Sequence, residues 1–467
     1  MTTATPGWVA APGRSIRPRA ATLDAAVRLA AGLALWTGLL LVTYWWVADG
    51  GLTALGSGGD VLSGLGRLSG LTGSVLLLAQ VVLMARVPFL ERAFGQDRLA
   101  HLHRVVGFVS FDLVLLHVLT VTWGYAAGSL AAVPATAWRL AWDEPGMLLA
   151  VAGLACLVLV VVTSVRAARR RLRYESWHLM HLYAYLGVGL ALPHQLWTGE
   201  QLATSTARTV FWWGAWGLAA GCVLGWRVAV PVLVNARHRL RVTSVSAEAP
   251  GVWSVYLTGR RLDLLRVEPG QFLLWRFLGV PGRSRAHPYS LSAAPDGRSL
   301  RITVAAAGDG SRAVAALRPG TRAVVEGPYG RLTPRARVAR RVAFIGAGVG
   351  VTPLRALLEG MAYAPGEAVY VERHQQDPLF AAEVDRIARE RGAQVLRLPG
   401  PRRADGSWLP RLSAPVDDVS ALRGWIPDIA ERDVYLCGPP EWTALVRSAA
   451  VAAGVPDDQL HVESFGW

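Results

Sequence analysis

The stretch HLHRVVGFVSFDLVLLH, residues 101–117, is apolar enough to begin a membrane helix, yet it contains three histidines. Ionisable groups inside a membrane are costly and usually have a functional purpose. On a helix with 100° per residue, His103 and His117 would lie about 40° apart, whereas His101 would lie about 160° from His117. The stretch therefore predicts a membrane helix with His103 and His117 on one face.

Similar apolar runs lie on both sides of this stretch, each close to the roughly 20 residues that cross a bilayer. They cover residues 23–48, 61–85, 104–125, 146–165, 177–197 and 209–234. The 467 residues are 52% hydrophobic and only 17% charged, which is too apolar for an ordinary soluble enzyme. We expect a flexible cytoplasmic tail at 1–22 and an all-α six-helix membrane domain at 23–236.

The net charge of +15 comes from arginine, since the chain has no lysine. A basic chain can bind nucleic acid, but here the arginines lie beside apolar runs, which favours membrane lipid as the partner and not nucleic acid. Arginines follow the second, fourth and sixth runs, at positions 86, 92, 98, 166, 169–171, 173, 237, 239 and 241. The positive-inside rule then predicts a multi-pass cell-membrane protein with a cytoplasmic N-terminus and C-terminal half.

The fifth run carries three more histidines, His178, His181 and His194, in the stretch HLMHLYAYLGVGLALPH. On an ideal helix His181 and His194 would lie about 140° apart, although glycines and Pro193 permit a distorted helix. We interpret the histidines as two axial pairs for haem iron, an inner pair and an outer pair separated by about 20 Å. The pairs are His103 with His181 and His117 with His194. The alternative is a set of polar residues lining a cavity or a proton path.

Short alternating stretches separated by Gly and Pro follow, and they predict an antiparallel β-barrel at 237–336. Strands and helices then alternate, beginning with RVAFIGAGVGVTPLRALLEG at 341–360, and predict an α/β domain with a parallel sheet at 337–467. The three cysteines, Cys156, Cys222 and Cys437, lie far apart, so neither a zinc site nor a disulfide framework is expected. Without a C-x-x-C-H motif, any haem is expected to be b-type.

The stretch HPYSLSAAP, residues 287–295, resembles the flavin motif of the ferredoxin–NADP reductase superfamily in its membrane-bound form. The resemblance implies FAD at His287 and Pro288, with Tyr289 along the flavin and Ser290 near its reactive nitrogen. In the soluble branch an Arg usually stands where His287 stands here. The later stretch GDGS supports this reading: Gly308 and Gly310 clear space, and Ser311 is expected to open a helix whose N-terminus suits a pyrophosphate.

The turn GAGVGVTP, residues 346–353, lacks the G-x-G-x-x-G fingerprint but resembles the nicotinamide loop of the same superfamily. Its expected pyrophosphate-binding residues are Gly346, Gly348, Gly350, Thr352 and Pro353. The resemblance places Cys437 at the nicotinamide, followed by Gly438 and Pro439, and lays Trp467 over the flavin. A small buried cysteine before a turn is the structural alternative. Arg373 is expected to bind the 2′-phosphate of NADPH, whereas Glu372 beside it would favour NADH.

From residue 23 to the end, the chain resembles the ferric reductase and NADPH oxidase family. The resemblance implies that NADPH reduces FAD, that Ser290, Cys437 and Trp467 act where hydride is transferred, and that two haems b pass electrons to an acceptor outside. A ferric chelate is the expected acceptor, because the outer half of the first run and Val121 supply no cation of the kind that oxidase members carry; Arg67 is a possible substitute. Oxygen reduced to superoxide, a partner protein, or a non-catalytic transporter or receptor are the alternatives, and no oligomeric state is predicted.

Overall fold

A computed structural model of the chain describes residues 19–53, 58–172, 174–199, 205–279, 285–306, 308–403, 406–411 and 416–464. The chain divides into two compact units. One comprises Ala26–Val230, and the other comprises Pro231–Trp467 with the residues up to Ala25. The border thus falls six residues before the predicted end of the helical domain at 236. Most of the predicted tail lies outside the described residues, and the first helix already begins at Arg19.

The N-terminal part of the chain is helical. Its helices are α1 (Arg19–Ala48), α2 (Gly58–Leu83), α3 (Pro88–Phe94), α4 (Gln96–Tyr125), α5 (Val133–Asp143), α6 (Met147–Ser164), α7 (Arg166–Arg169), α8 (Tyr174–Trp197), α9 (Thr206–Cys222) and α10 (Val230–His238). A π-helical turn at Val223–Ala229 joins α9 to α10.

Five described helical stretches are long and apolar enough to cross a membrane. They are Thr22–Ala48, Val61–Leu83, Gln96–Tyr125, Met147–Ser164 and Thr206–His238. The fifth predicted run forms α8, a helix of 24 residues that is not among them. Its three histidines lower its hydropathy. The helical, apolar character of this region is confirmed, and five candidate spans are found where six were expected.

Glycines let the membrane helices approach closely. A Cβ atom on Gly66 would lie 2.4 Å from Val121, and one on Gly70 would lie 2.6 Å from the His117 ring, so α2 packs directly against α4. Helices α6 and α8 meet in the same way, because a Cβ on Gly153 would lie 2.7 Å from the carbonyl oxygen of Gly187. Without a hydrophobic driving force between helices in lipid, such small-residue contacts supply the packing. The histidine-bearing helices α4 and α8 are each fixed in this way.

The second unit begins with two antiparallel sheets. The strands are β1 (Arg241–Ala249), β2 (Val252–Thr258), β3 (Phe272–Phe277), β4 (His287–Ser290), β5 (Ser299–Ala305) and β6 (Ala323–Tyr329). They pair in the orders β1-β2-β5 and β4-β3-β6. Isolated bridges between Arg241 and Arg322 and between Leu291 and Ile302 connect the two sheets. Their inward faces share a core around the fully buried Trp275.

A parallel sheet follows, as the alternation of strand and helix predicted. Its strands are β7 (Arg341–Ala347), β8 (Ala368–His374), β9 (Gln394–Pro399), β10 (Arg432–Gly438) and β11 (Leu460–Ser464), in the order β11-β10-β7-β8-β9. The helices of this unit are α11 (Asp309–Arg312), α12 (Val351–Gly360), α13 (Ala381–Arg391), α14 (Asp418–Trp425) and α15 (Pro440–Ala452). After β7 the chain adds β8 on one side of β7, and it later adds β10 on the opposite side of β7. The carboxyl ends of β7 and β10 are therefore a switch point, where ligands bind in such sheets.

Candidate functional site

His103 on α4 and His181 on α8 face each other inside the helical unit. Their ring centroids are 6.0 Å apart, with planes inclined by 70°. His103 Nδ1 lies 3.3 Å from the Gln80 carbonyl oxygen, and His181 Nδ1 lies 3.3 Å from the Ser164 hydroxyl. A carbonyl only accepts hydrogen bonds, so Nδ1 of neutral His103 carries the proton and its Nε2 keeps a free lone pair.

The inner pair has the dimensions that a shared metal ion requires. Two imidazole nitrogens on opposite sides of a transition metal, each at about 2.0–2.1 Å, place the ring centroids about 6 Å apart. The observed 6.0 Å between His103 and His181 agrees with this requirement. Hydrogen bonding through the other ring nitrogen is the usual way in which proteins orient a ligating histidine. The two residues therefore fit axial ligation of one iron.

His117 and His194 have the same hydrogen-bonding pattern. His117 Nδ1 donates to the Gly66 carbonyl oxygen at 2.8 Å, and His194 Nδ1 donates to the Ala191 carbonyl oxygen at 2.5 Å. The two imidazoles are near enough to interact electrostatically. Pro193 lies inside α8 immediately before His194. The structure thus associates His181 with His103 and His194 with His117, despite the poor spacing of His181 and His194 on an ideal helix.

Sequence reasoning missed two residues beside the inner pair. The Trp177 ring stacks on His181, with centroids 5.0 Å apart and planes inclined by 32°. Its Nε1 donates to the Ser164 hydroxyl at 3.3 Å, the same hydroxyl that contacts His181. The signal was present in the sequence, because residues four apart on a helix are neighbours and Trp177 precedes His181 by four.

The described part of the chain contains no metal site built from more than two protein side chains. No group of three or more His, Cys, Asp and Glu side chains is arranged to hold a metal ion there. A site with two axial histidines needs only two protein ligands, since haem supplies its own four nitrogens.

The predicted flavin strand is β4, and two of its polar atoms lack a partner. The Ser290 hydroxyl and the Tyr289 hydroxyl are buried without a hydrogen bond among the described residues. Burial raises the pKa of Tyr289 to about 12, and its ring stacks on His287 with planes inclined by 9°. Buried polar atoms are normally hydrogen-bonded. The two orphaned hydroxyls thus fit a polar ring system lying against this strand, as flavin would.

The GDGS element forms a tighter structure than predicted. The helix α11 begins at Asp309, not at Ser311, and comprises a single turn. The Ser311 hydroxyl contacts both the backbone N–H and the carbonyl oxygen of Gly308 at 2.9 Å. A Cβ on Gly308 would meet nothing within 4 Å. The Ser311 hydroxyl therefore closes this turn, whereas it was expected at the start of the helix.

The predicted nicotinamide loop joins β7 to α12 at the switch point. A Cβ on Gly350 would lie 2.5 Å from the Cys437 carbonyl oxygen, so this glycine permits close approach to the end of β10. Gly348 has φ +56 and open space around it, whereas Gly346 packs against Leu354. The Thr352 hydroxyl donates to the Val349 carbonyl oxygen at 2.9 Å, which fixes the loop. Pro353 lies in the first turn of α12, as its fixed φ favours.

Cys437 is the last residue but one of β10 and is fully buried. Burial and the negative charge of Glu463 raise its pKa well above its ordinary value, so the thiol stays protonated at neutral pH. Glu463 is directly opposite Cys437 in the pairing of β10 with β11, and sequence reasoning missed it. A Cβ on Gly330 would lie 3.4 Å from the Glu463 carboxylate. Since Tyr329 and Ser290 both pair with Phe272, these contacts connect the flavin strand with the end of β10.

The residues after Cys437 turn the chain into α15. A Cβ on Gly438 would lie 2.9 Å from the Trp442 ring, and Pro439 precedes the first residue of the helix. Trp467, predicted to cover the flavin, lies outside the described residues.

Arg373 and Glu372 point to opposite faces of β8. Glu372 is enclosed between β8 and the helices on that face and is only 1% exposed. This burial raises its pKa to about 7. Arg373 is 8% exposed, and its Nε has no partner among the described residues. Burial and the nearby positive charge of Arg402 both lower the pKa of Arg373. Arg373 and Arg402 thus bring two positive charges near each other at this end of the sheet.

A buried charge network joins the antiparallel sheets to the parallel-sheet domain. Arg301 on β5 donates to both carboxylate oxygens of Glu383 on α13, at 2.9 and 3.0 Å. Arg355 on α12 lies 2.8 Å from the same carboxylate. Both arginines also donate to the Ser292 carbonyl oxygen, at 2.7 and 3.2 Å. Because Ser292 follows Ser290 by two residues, the network fixes the flavin strand relative to the nicotinamide loop.

Comparison with known proteins agrees with this architecture. Residues 69–192 match the family described as ferric reductase like transmembrane component, and residues 344–448 match the oxidoreductase NAD-binding domain. The chain is 31% identical over 201 residues to ferredoxin–NADP reductase B of Sorangium cellulosum, covering 40% of this chain and 81% of that protein. It is 31% identical over 242 residues to a flavohemoprotein of Pseudomonas aeruginosa, covering 49% of this chain and 59% of that protein.

Two further comparisons each cover less than half of this chain. The chain is 29% identical over 211 residues to the ferredoxin reductase component of 3-ketosteroid-9-alpha-monooxygenase of Mycolicibacterium smegmatis, covering 44% of this chain and 57% of that protein. It thus spans little more than half the length of that relative. The flavohem-like FAD/NAD-binding domain of nitric oxide dioxygenase from Vibrio cholerae superposes with a TM-score of 0.37 at 23% identity, covering 49% of this chain and 99% of that one.

Proposed function

The chain belongs to the family that joins a ferric reductase-like transmembrane component to a ferredoxin–NADP reductase-type module, and from this premise we propose that it moves electrons from cytoplasmic NADPH across the cell membrane to a ferric chelate. The observation that carries the proposal is the inner pair, with imidazole centroids 6.0 Å apart and the Nδ1 atom of each ring in contact with another group. When bound, FAD supplies the conversion of hydride into single electrons, and two haems b supply their passage through the bilayer.

The helical unit would provide the protein ligands in this proposal. His103 and His181 would hold the inner haem iron, and His117 and His194 would hold the outer one. We include α8 as a sixth membrane helix, because its histidines would be expensive in lipid but are turned toward α4. The arginines that follow α2 and α6, and those at and after the end of α10, orient this unit with the C-terminal domains in the cytoplasm.

The second unit binds flavin and nicotinamide. We propose that the two antiparallel sheets, bridged at both edges, form the barrel that holds FAD through His287, Tyr289 and Ser290. The Ser290 hydroxyl, which has no other partner among the described residues, donates a hydrogen bond to the flavin. The protonated Cys437 thiol packs against the nicotinamide, and Arg373 with Arg402 binds the 2′-phosphate of NADPH.

A small acceptor has access beside the outer pair. A surface pocket of about 290 Å³ is lined by Trp142, Asp143, Glu144 and Trp197, among others, and also by Gly146. Gly146 adjoins the outer pair, since a Cβ there would lie 2.8 Å from the backbone nitrogen of His194. Two carboxylates in the lining, Asp143 and Glu144, favour a cationic ferric complex over an anionic chelate. Arg208, in the first turn of α9, donates to both carboxylate oxygens of Asp49 at 2.7 and 2.8 Å, so this cation is already paired with a carboxylate.

The test uses the full chain in nanodiscs, supplied with FAD and haem. We expect a b-type haem spectrum that NADPH reduces, and reoxidation by ferric complexes with formation of a ferrous product. NADH should serve less well. Absence of haem from the folded protein would refute the relay. Rapid reoxidation by oxygen with formation of superoxide would keep the relay and refute the ferric acceptor.

A further inference from the structure

Six arginines converge on one edge of the antiparallel sheets, and we call them the arginine rim: Arg239, Arg241, Arg260, Arg261, Arg318 and Arg322. Backbone contacts hold them together. Arg241 and Arg322 form an isolated β-bridge, and the Arg260 N–H donates to the His238 carbonyl oxygen at 2.6 Å. Arg318 closes the turn next to Arg322, because its carbonyl oxygen accepts from Thr321 at 3.0 Å.

The six rim arginines form no ion pair of 4.0 Å or less within the described part of the chain. All six side chains are exposed, and none forms an ion pair with a described carboxylate. Their side-chain hydrogen bonds go to carbonyl oxygens instead, as from Arg239 to Ala236 and from Arg241 to Gly320, at 3.1 and 2.9 Å. Like charges gathered on one edge repel each other. An anionic partner from outside the chain would relieve this repulsion.

The backbone conformation adds a second observation. Arg239 has φ 45 and Arg261 has φ 50, both in the left-handed region that glycine and asparagine adopt more readily. Two of the six rim positions therefore carry a long cationic side chain on a backbone that disfavours it. Such local strain is concentrated at functional sites in proteins.

The position in the chain identifies the partner. The apolar span Thr206–His238 ends immediately before Arg239. The first rim residues therefore follow directly after the last candidate membrane span. A charged membrane surface acts over a Debye length of about 8 Å. Guanidinium groups match phosphate oxygens in a two-pronged geometry.

We infer that the arginine rim binds the phosphate groups of anionic phospholipids in the adjacent leaflet, and so holds the flavin-binding sheets on the membrane surface. The inference rests on the membrane location proposed above and does not depend on electron transfer. Each arginine near an anionic surface strengthens binding by about fivefold.

The test compares three forms of the full chain in nanodiscs that contain phosphatidylcholine with increasing fractions of phosphatidylglycerol. One is the unchanged chain, one is the double variant Arg239→Asn with Arg261→Asn, and the control is Arg389→Gln with Arg447→Gln. The control removes two exposed arginines from α13 and α15. Hydrogen exchange of residues 239–241, 259–262 and 318–322 reports lipid contact, and exchange of β2 and β5 reports stability.

Phosphatidylglycerol should protect the rim segments of the unchanged chain and of the control at the same fraction. The rim variant should need about 30-fold more phosphatidylglycerol for the same protection, because two fivefold losses of binding multiply. Because asparagine relieves the left-handed strain, β2 and β5 of this variant should exchange no faster than in the unchanged chain, so that unfolding does not account for the loss. Equal protection in neutral and anionic nanodiscs would overturn the inference. Equal behaviour of variant and control, or protection by polyglutamate but not by phosphatidylglycerol, would also overturn it.

Discussion

Replacing Glu383 with glutamine removes the carboxylate shared by two buried arginines. The side chains of Arg301 and Arg355 are 6% and 4% exposed, and both contact this carboxylate. Removing one partner of a buried ion pair costs about 3–5 kcal/mol, because the remaining charge is left uncompensated. Glu383 itself is 32% exposed and Arg355 keeps its bond to Glu359 at 2.5 Å. After allowing for solvent screening we therefore expect a loss below this range, about 2–3 kcal/mol.

Native-state hydrogen exchange of the full chain measures this loss directly, since the slowest amides of β5 and α13 report the free energy of opening. A loss of about 2–3 kcal/mol should speed their exchange by about 30–150-fold. Glu390→Gln is the matched control. It lies on the same helix and breaks the exposed pair with Arg386, whose side chains are 52% and 58% exposed. Such pairs contribute only about 0.3–0.5 kcal/mol, so exchange should change by about twofold.

The effect of Glu383→Gln should depend on pH. Burial of Glu383 tends to raise its pKa, but the hydrogen bonds and positive charges of Arg301 and Arg355 outweigh burial and hold the pKa below 4.5. A pKa lowered by folding stabilises the protein above the unfolded value and is lost as pH falls through the folded value. The gap between the unchanged chain and the variant should therefore be full at neutral pH and shrink below pH 4.5. A gap that is small at neutral pH, or independent of pH, would refute the assigned role of the ion pairs.

Three further predictions concern the cofactor sites. His117→Ala should remove one haem while leaving the other reducible by NADPH, as measured by absorbance and redox titration; retention of both haems would contradict the pairing. Ser290→Ala should leave flavin content unchanged but slow hydride transfer from NADPH by about tenfold in stopped flow, since one hydrogen bond of about 1.5 kcal/mol is lost. Trp467→Ser should tighten binding of both nicotinamide cofactors by up to about tenfold if its ring covers the flavin, with a larger gain in steady-state kinetics for NADH; unchanged Michaelis constants would place the ring elsewhere.

The fold was largely predictable because its signals are local. Long apolar runs indicate membrane helices, and the β7 sequence is buried almost throughout, as a central strand of a parallel sheet must be. The partner of each residue depends on tertiary structure instead. Nothing local to Glu383 indicates two arginines from other elements, and nothing local to Glu463 indicates that it pairs with Cys437 across the sheet. Both residues were missed for this reason.

The histidines of α8 show where periodicity fails even within one helix. A spacing of 13 residues on an ideal helix would turn His181 and His194 about 140° apart, and yet each is associated with a histidine of α4. The helix can depart from ideal geometry because Pro193 removes a backbone donor one residue before His194. Gly187 lets the helix lie against α6, where Gly153 is opposite. The positions of these histidines are therefore set by what α8 packs against, and a calculation from spacing alone holds only for a straight helix.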